Sequence, residues 1–176
     1  LTLEELDRDS FEKAVDAIVS ARKLYIIGVR SCAAMATFMS FYFNLIFDNV
    51  VKVSATTASE VFESLLRVGE GDVVIGVSFP RYSSRTVQAM NFARSRGATT
   101  IAITDSEVSP LSPISTYTLK ARSDMASFVD SLVAPLSLIN ALLVAVSRKK
   151  NDDLANTFED LEKIWEEYGV YEKVQE

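Results

Sequence analysis

Two short segments of the sequence hold most of the residues able to grip an anion. Val29 to Cys32 and Ser78 to Ser84 (SFPRYSS) together supply Arg30, Ser31, Ser78, Arg81, Tyr82, Ser83 and Ser84, with Arg85 and Thr86 directly behind. Hydroxyls donate to phosphate oxygens, and a guanidinium offers a planar fork that can engage two of them at once. The chain is otherwise acidic, with 18 Lys+Arg against 24 Asp+Glu and a formal charge of −6. A local concentration of Arg and Ser on that background points to a phosphate monoester. Each segment also opens a helix-patterned stretch, whose unpaired first N–H groups and positive dipole end favour an anion. The same serines suit a plainer role as helix N-caps, with the arginines as a solvated rim. Spacing alone leaves both readings open.

Composition removes several other chemistries. There is no histidine, so the commonest general acid or base near neutral pH and the commonest metal ligand are missing. A single cysteine, Cys32, permits neither an internal disulfide nor a multi-Cys zinc site, so no metal is expected. Neither G-x-G-x-x-G nor a P-loop occurs, so no nucleotide and no cofactor is implied. The net negative charge argues against nucleic-acid binding by this segment itself. Ser31 to Phe47 and Ser131 to Ser147 each run 17 residues without a formal charge, short of the roughly 20 that a membrane-spanning helix needs. They read as buried helices, at least one of which can also pack against a partner subunit. With nothing resembling a signal peptide, a cytoplasmic location is expected and no membrane partner.

The remaining pattern shows what must position the two segments. Leu3 to Arg22 reads as an N-terminal helical segment, with Asp9 to Glu12 as an internal capping pattern. Lys23 to Gly28, Val50 to Val53, Asp72 to Val77, Thr99 to Thr104 and Tyr117 to Ala121 read as five strands. Helices are predicted from Ser31, over Thr57 to Leu66, from the hydroxyl loop to Arg96, from about Met125, and as an acidic amphipathic helix within residues 151–176. Asp72 to Val77 (DVVIGV) lacks alternation, as expected of a strand covered on both faces. Strands alternating with helices imply one α/β domain over residues 1–176, a three-layer α/β/α sandwich around a five-stranded parallel sheet. Its simplest order is 2-1-3-4-5, whose switch point places a ligand beyond the carboxyl ends of the first and third strands. Those ends are the two serine and arginine segments.

KLYIIGVRSCAA, followed by DVVIGVSFPRYSSRTVQAMNFARSRGATTIAITDSEVSPLS, resembles a SIS (sugar isomerase) domain. More narrowly, SFPRYSSRT and AITDSEVSPLS resemble the C-terminal effector domains of MurR/RpiR-type transcriptional regulators. The similarity spans roughly Phe11 to Lys149 and is strongest from Asp72 to Ser112. It implies that Ser31, Ser78 and Ser83 hold the phosphate of a phosphorylated sugar or amino sugar, that the domain is a homodimer, and that DNA is bound only through an N-terminal helix-turn-helix domain. The absence of an initiator methionine agrees with that domain being missing from this fragment. Two departures stand out. Many SIS domains carry S-x-S-G-x-T in the second loop, where Pro80 and Arg81 here replace the second Ser and the Gly, and Arg30 stands where glycine is frequent. Bidentate contacts from the two guanidiniums would compensate.

Glu60 matches the position of the catalytic glutamate of SIS isomerases, so an isomerase with Glu60 as base is the main rival to a sensor. Thr57-x-x-Glu60 is also a capping box, and with no histidine to share proton transfer the expectation is a cap with a possible sugar-hydroxyl contact. A purely architectural module is the third reading. Asp105 is expected to cap a turn, Cys32 to pack as a small residue, and Phe38, Phe41, Tyr42, Phe43 and Phe47 to serve a core or an interface.

Overall fold

A computed structural model describes residues 6–123 and 129–172. The strands β1 (Leu24–Gly28), β2 (Val50–Lys52), β3 (Val73–Val77), β4 (Thr99–Thr104) and β5 (Tyr117–Lys120) form one sheet in the order 2-1-3-4-5. Every neighbouring pair is parallel. The helices are α1 (Arg8–Val19), α2 (Cys32–Ile46), α3 (Ala58–Ser64), α4 (Ser84–Ser95), α5 (Val133–Lys149) and α6 (Asn151–Glu167). Side chains of a strand alternate between faces, and the core divides accordingly. Leu24, Ile26, Val73, Ile75, Ile101 and Ile103 pack with α1, α2 and α5. Tyr25, Ile27, Val74 and Ala102 pack with α3 and α4. All five residues of β1 and of β3 are buried, which explains why neither strand shows polar alternation.

Several boundaries differ from the sequence reading. The first helix is capped by Asp7, whose carboxylate accepts from the Asp9 and Ser10 N–H groups, rather than by Asp9. Two nearby acidic residues suit an N-cap equally in composition, and backbone geometry selects the earlier one. The predicted start at Leu3 lies outside the described residues, as does Met125, where the long apolar helix was expected to begin. That helix starts at Val133, with Val129 to Leu132 leading into it.

Two features fix the sheet edge that matters. Gly28 ends β1 opposite Val77 of β3, so the chain leaves both strands side by side. A Cβ on Gly28 would lie 2.4 Å from the Cys32 carbonyl oxygen and 3.1 Å from the Ala36 Cβ. Only glycine lets α2 start this close to the strand.

Candidate functional site

The loops leaving β1 and β3 enclose a cavity of about 240 Å³ lined by Arg30, Ser31, Ser78, Arg81, Ser83 and Asp130, among others. Their backbones share an uncommon feature. Arg30 has φ 60° and Arg81 has φ 68°, and these are the two non-glycine residues with positive φ among the described residues. An L-residue is disfavoured there, yet each turn places an arginine at the point where the chain reverses towards a helix. Arg30 makes no side-chain hydrogen bond or ion pair among the described residues, leaving its guanidinium available.

The serine hydroxyls are not spent on capping. Ser31 and Ser83 occupy the N-cap positions of α2 and α4, but neither side chain makes a cap hydrogen bond. Ser31 Oγ instead donates to Asp130 Oδ2 at 2.8 Å. The Ser83 N–H donates to Ser78 Oγ at 3.1 Å, which folds the second loop back on the end of β3. Ser78 is buried, so its hydroxyl is held in place. Arg81 Nη2 donates to Asp130 Oδ1 at 3.3 Å. One carboxylate therefore accepts from both loops at once. Hydroxyls, a guanidinium and two helix starts thus converge around the Asp130 carboxylate.

Other candidates lie outside this cavity lining. Tyr82 OH donates to Asp105 Oδ1 at 2.7 Å, and Asp105 also accepts from Thr104 Oγ1 and Ser106 Oγ. Burial, then this hydrogen bond, raises the Tyr82 pKa. Asp105 thus ties the second loop to the end of β4. Arg85 donates to the carbonyls of Ala55 and Thr56 at 2.7 and 3.0 Å, pinning the β2–α3 loop against α4. Glu60 follows that loop. Its N–H donates to Thr57 Oγ1 at 3.2 Å, and its carboxylate accepts from Ser54 Oγ at 2.7 Å. The Ser54 bond, helped by the Thr57 N–H, lowers the Glu60 pKa. Cys32 lines the cavity but is 7% exposed, and burial raises its pKa, outweighing hydrogen bonds from the Phe79 backbone and the Ser31 side chain.

Residues 17–145 match the family model of the SIS domain. The chain belongs to the SIS domain family. The match takes in every candidate residue of both loops. This SIS chain is 27% identical over 167 residues to an uncharacterized HTH-type transcriptional regulator, TTE0211, of Caldanaerobacter subterraneus, covering 93% of the chain and 58% of the relative. It therefore spans little more than half of that protein's length. Among solved structures it resembles the sugar isomerase domain of an RpiR transcription factor from Sphaerobacter thermophilus, with TM-score 0.82, 28% identity, and 92% and 90% of the two chains covered. It shares its fold with the Vibrio vulnificus NanR protein complexed with ManNAc-6P, with TM-score 0.83, 18% identity, and 98% and 65% covered.

One lining residue of this SIS domain was missed in the sequence. Asp130 directly precedes the uncharged run from Ser131, and it meets Ser31 across 99 residues and Arg81 across 49. The sole local signal was an acidic residue placed just ahead of a helix. The aromatic stretch of α2, expected to serve a core or an interface, divides between core and surface. Phe43 is fully buried, whereas Phe41 and Tyr42 are 61% and 42% exposed.

Proposed function

We propose that this SIS domain is the effector-sensing part of a cytoplasmic RpiR-type transcription regulator, binding a phosphorylated sugar or amino sugar at the β1 and β3 loops. The observation that carries the reading is the Asp130 carboxylate held by Ser31 and Arg81, since donors that cradle one anion suit another. On this reading Arg30, Ser31, Ser78, Arg81 and Ser83 contact the phosphate. Tyr82 acts through Asp105 to hold the loop, and Glu60 caps α3 within reach of a sugar hydroxyl. The ManNAc-6P bound by the Vibrio vulnificus protein of the same fold supports a ligand of this class.

The regulatory output follows from linkage. A ligand shifts an equilibrium only through unequal affinity for two states, here two arrangements of a homodimer whose DNA-binding domain precedes this one. The exposed Phe41, Tyr42 and Val144, and an apolar groove of about 460 Å³ between α2, α5 and α6, support a second copy covering that face. An isomerase is the less favoured reading, because the Glu60 carboxylate is engaged by Ser54 and by its own capping box, and its lowered pKa makes it a weaker base.

Calorimetry with ManNAc-6P and related hexose and hexosamine 6-phosphates tests this. The expected result is binding without turnover, weakened about tenfold or more by Arg81→Ala and by Ser83→Ala, since a hydrogen bond to a charged group contributes about 1.5–3 kcal/mol. Turnover abolished by Glu60→Gln would assign an enzyme instead. Unchanged affinity in both loop variants would move the site elsewhere.

A further inference from the structure

We propose that Asp130 is a built-in counter-anion that occupies the donors of this site and must release them when a phosphate enters. The inference rests on the reading of the cavity as a phosphate site and adds its regulation.

The two oxygens of Asp130 are divided between the two loops, Oδ2 on Ser31 and Oδ1 on Arg81. The side chain is about one-fifth exposed, so it borders the cavity rather than sitting in the core. Ser31 Oγ has one proton to donate, and that proton is committed to Asp130. A phosphate oxygen can accept it only after the carboxylate lets go. Retaining Asp130 would set two anions side by side on one guanidinium, an arrangement that like-charge repulsion opposes. Ligand affinity is therefore the outcome of a competition within the molecule, in which the tethered carboxylate is always present at the site.

Position makes that competition consequential. Asp130 lies three residues before Val133, where α5 begins. That helix buries Leu138, Ile139, Leu142 and Val146 against α1 and α2, and it lines the apolar groove shared with α2 and α6. Releasing Asp130 frees the chain leading into α5, so exchange of one anion for another is felt at the first turn of the helix that forms the proposed dimer face.

The test uses this 176-residue chain, with inorganic phosphate as the probe. Phosphate binding is compared by calorimetry in the wild type, Asp130→Asn, Asp130→Ser and Asp130→Asn/Arg81→Ala, each checked for an intact thermal transition. The expected result is about tenfold tighter binding in both Asp130 variants, reversed by removing Arg81. Hydrogen exchange in the first turn of α5 should respond to phosphate in the wild type and be already altered in Asp130→Asn without it. Affinity equal to or below wild type in both Asp130 variants would overturn the competition while leaving the phosphate site standing. An unresponsive first turn of α5 would overturn its coupling to the helix. If no variant binds phosphate, the failure lies with the proposed site, and this inference falls with it.

Discussion

Arg30 holds φ 60° at the turn between β1 and α2, with its side chain exposed and unpaired among the described residues. Substituting glycine and alanine separates what its backbone does from what its side chain does. The left-handed region disfavours an L-residue by about 1–2 kcal/mol, a strain that glycine escapes. Glycine returns about 0.5–1 kcal/mol of that through its greater freedom in the unfolded chain. Arg30→Gly should therefore be more stable than Arg30→Ala by roughly 0.5–1 kcal/mol, which in a domain of this size raises Tm by about 1–4 °C. No ion pair among the described residues is lost in either variant to obscure the comparison. Both remove a guanidinium from the cavity, so both should bind sugar phosphate about tenfold or more weakly, from the 1.5–3 kcal/mol of a charged hydrogen bond. Differential scanning calorimetry reads the first effect and isothermal calorimetry the second. If the glycine variant is no more stable than the alanine variant, the turn is not strained at Arg30. If both keep full affinity, the guanidinium does not reach the ligand. Strain kept where glycine would relieve it is the expected signature of a residue retained for function.

Two further outcomes follow from the same geometry. Gly28→Ala should lower the urea midpoint by an amount corresponding to about 1–3 kcal/mol, because its new Cβ meets the Cys32 backbone. Gly76→Ala should cost less, since its Cβ meets only the thioether end of Met90, at 2.7 Å from Sδ; equal losses would show that α2 gives way as readily as a flexible side chain. For Glu60 the folded-state pKa is depressed, first by the Ser54 hydroxyl. Its stabilising contribution is therefore present above the usual carboxylate range and lost as pH falls through the lowered value. Glu60→Gln should accordingly melt below wild type at neutral pH and converge with it in acid. A gap in Tm that persists undiminished into acid would contradict the cap.

The sheet order and both loops were legible because they depend on local patterns: uninterrupted apolar runs for β1 and β3, and polar turns between them and their helices. Burial of both faces of a parallel strand writes itself into the sequence. What stayed hidden depends on distance or on backbone angle. Asp130 joins the site through contacts 99 and 49 residues away in the chain, and no periodicity encodes such a pairing. The left-handed arginines left a trace only in the family pattern, where Arg30 and Arg81 stand at positions commonly held by glycine; the chain's own residues give no such sign, since positive φ is announced by glycine. Whether Ser31 and Ser83 cap their helices through their hydroxyls also needed coordinates, because an N-cap serine and a ligand serine occupy the same position. The aromatic face of α2 could be read as apolar but not as exposed; a helix apolar on several sides looks alike in a core and at an interface.

If the β1 and β3 loops form one receptor for a phosphate ester, titrating the ¹⁵N-labelled domain with ManNAc-6P should give saturable amide shifts that appear together at Arg30 to Ala33 and at Ser78 to Ser84, with a single dissociation constant. Shifts confined to one loop, or centred on the α2–α5 groove, would contradict it.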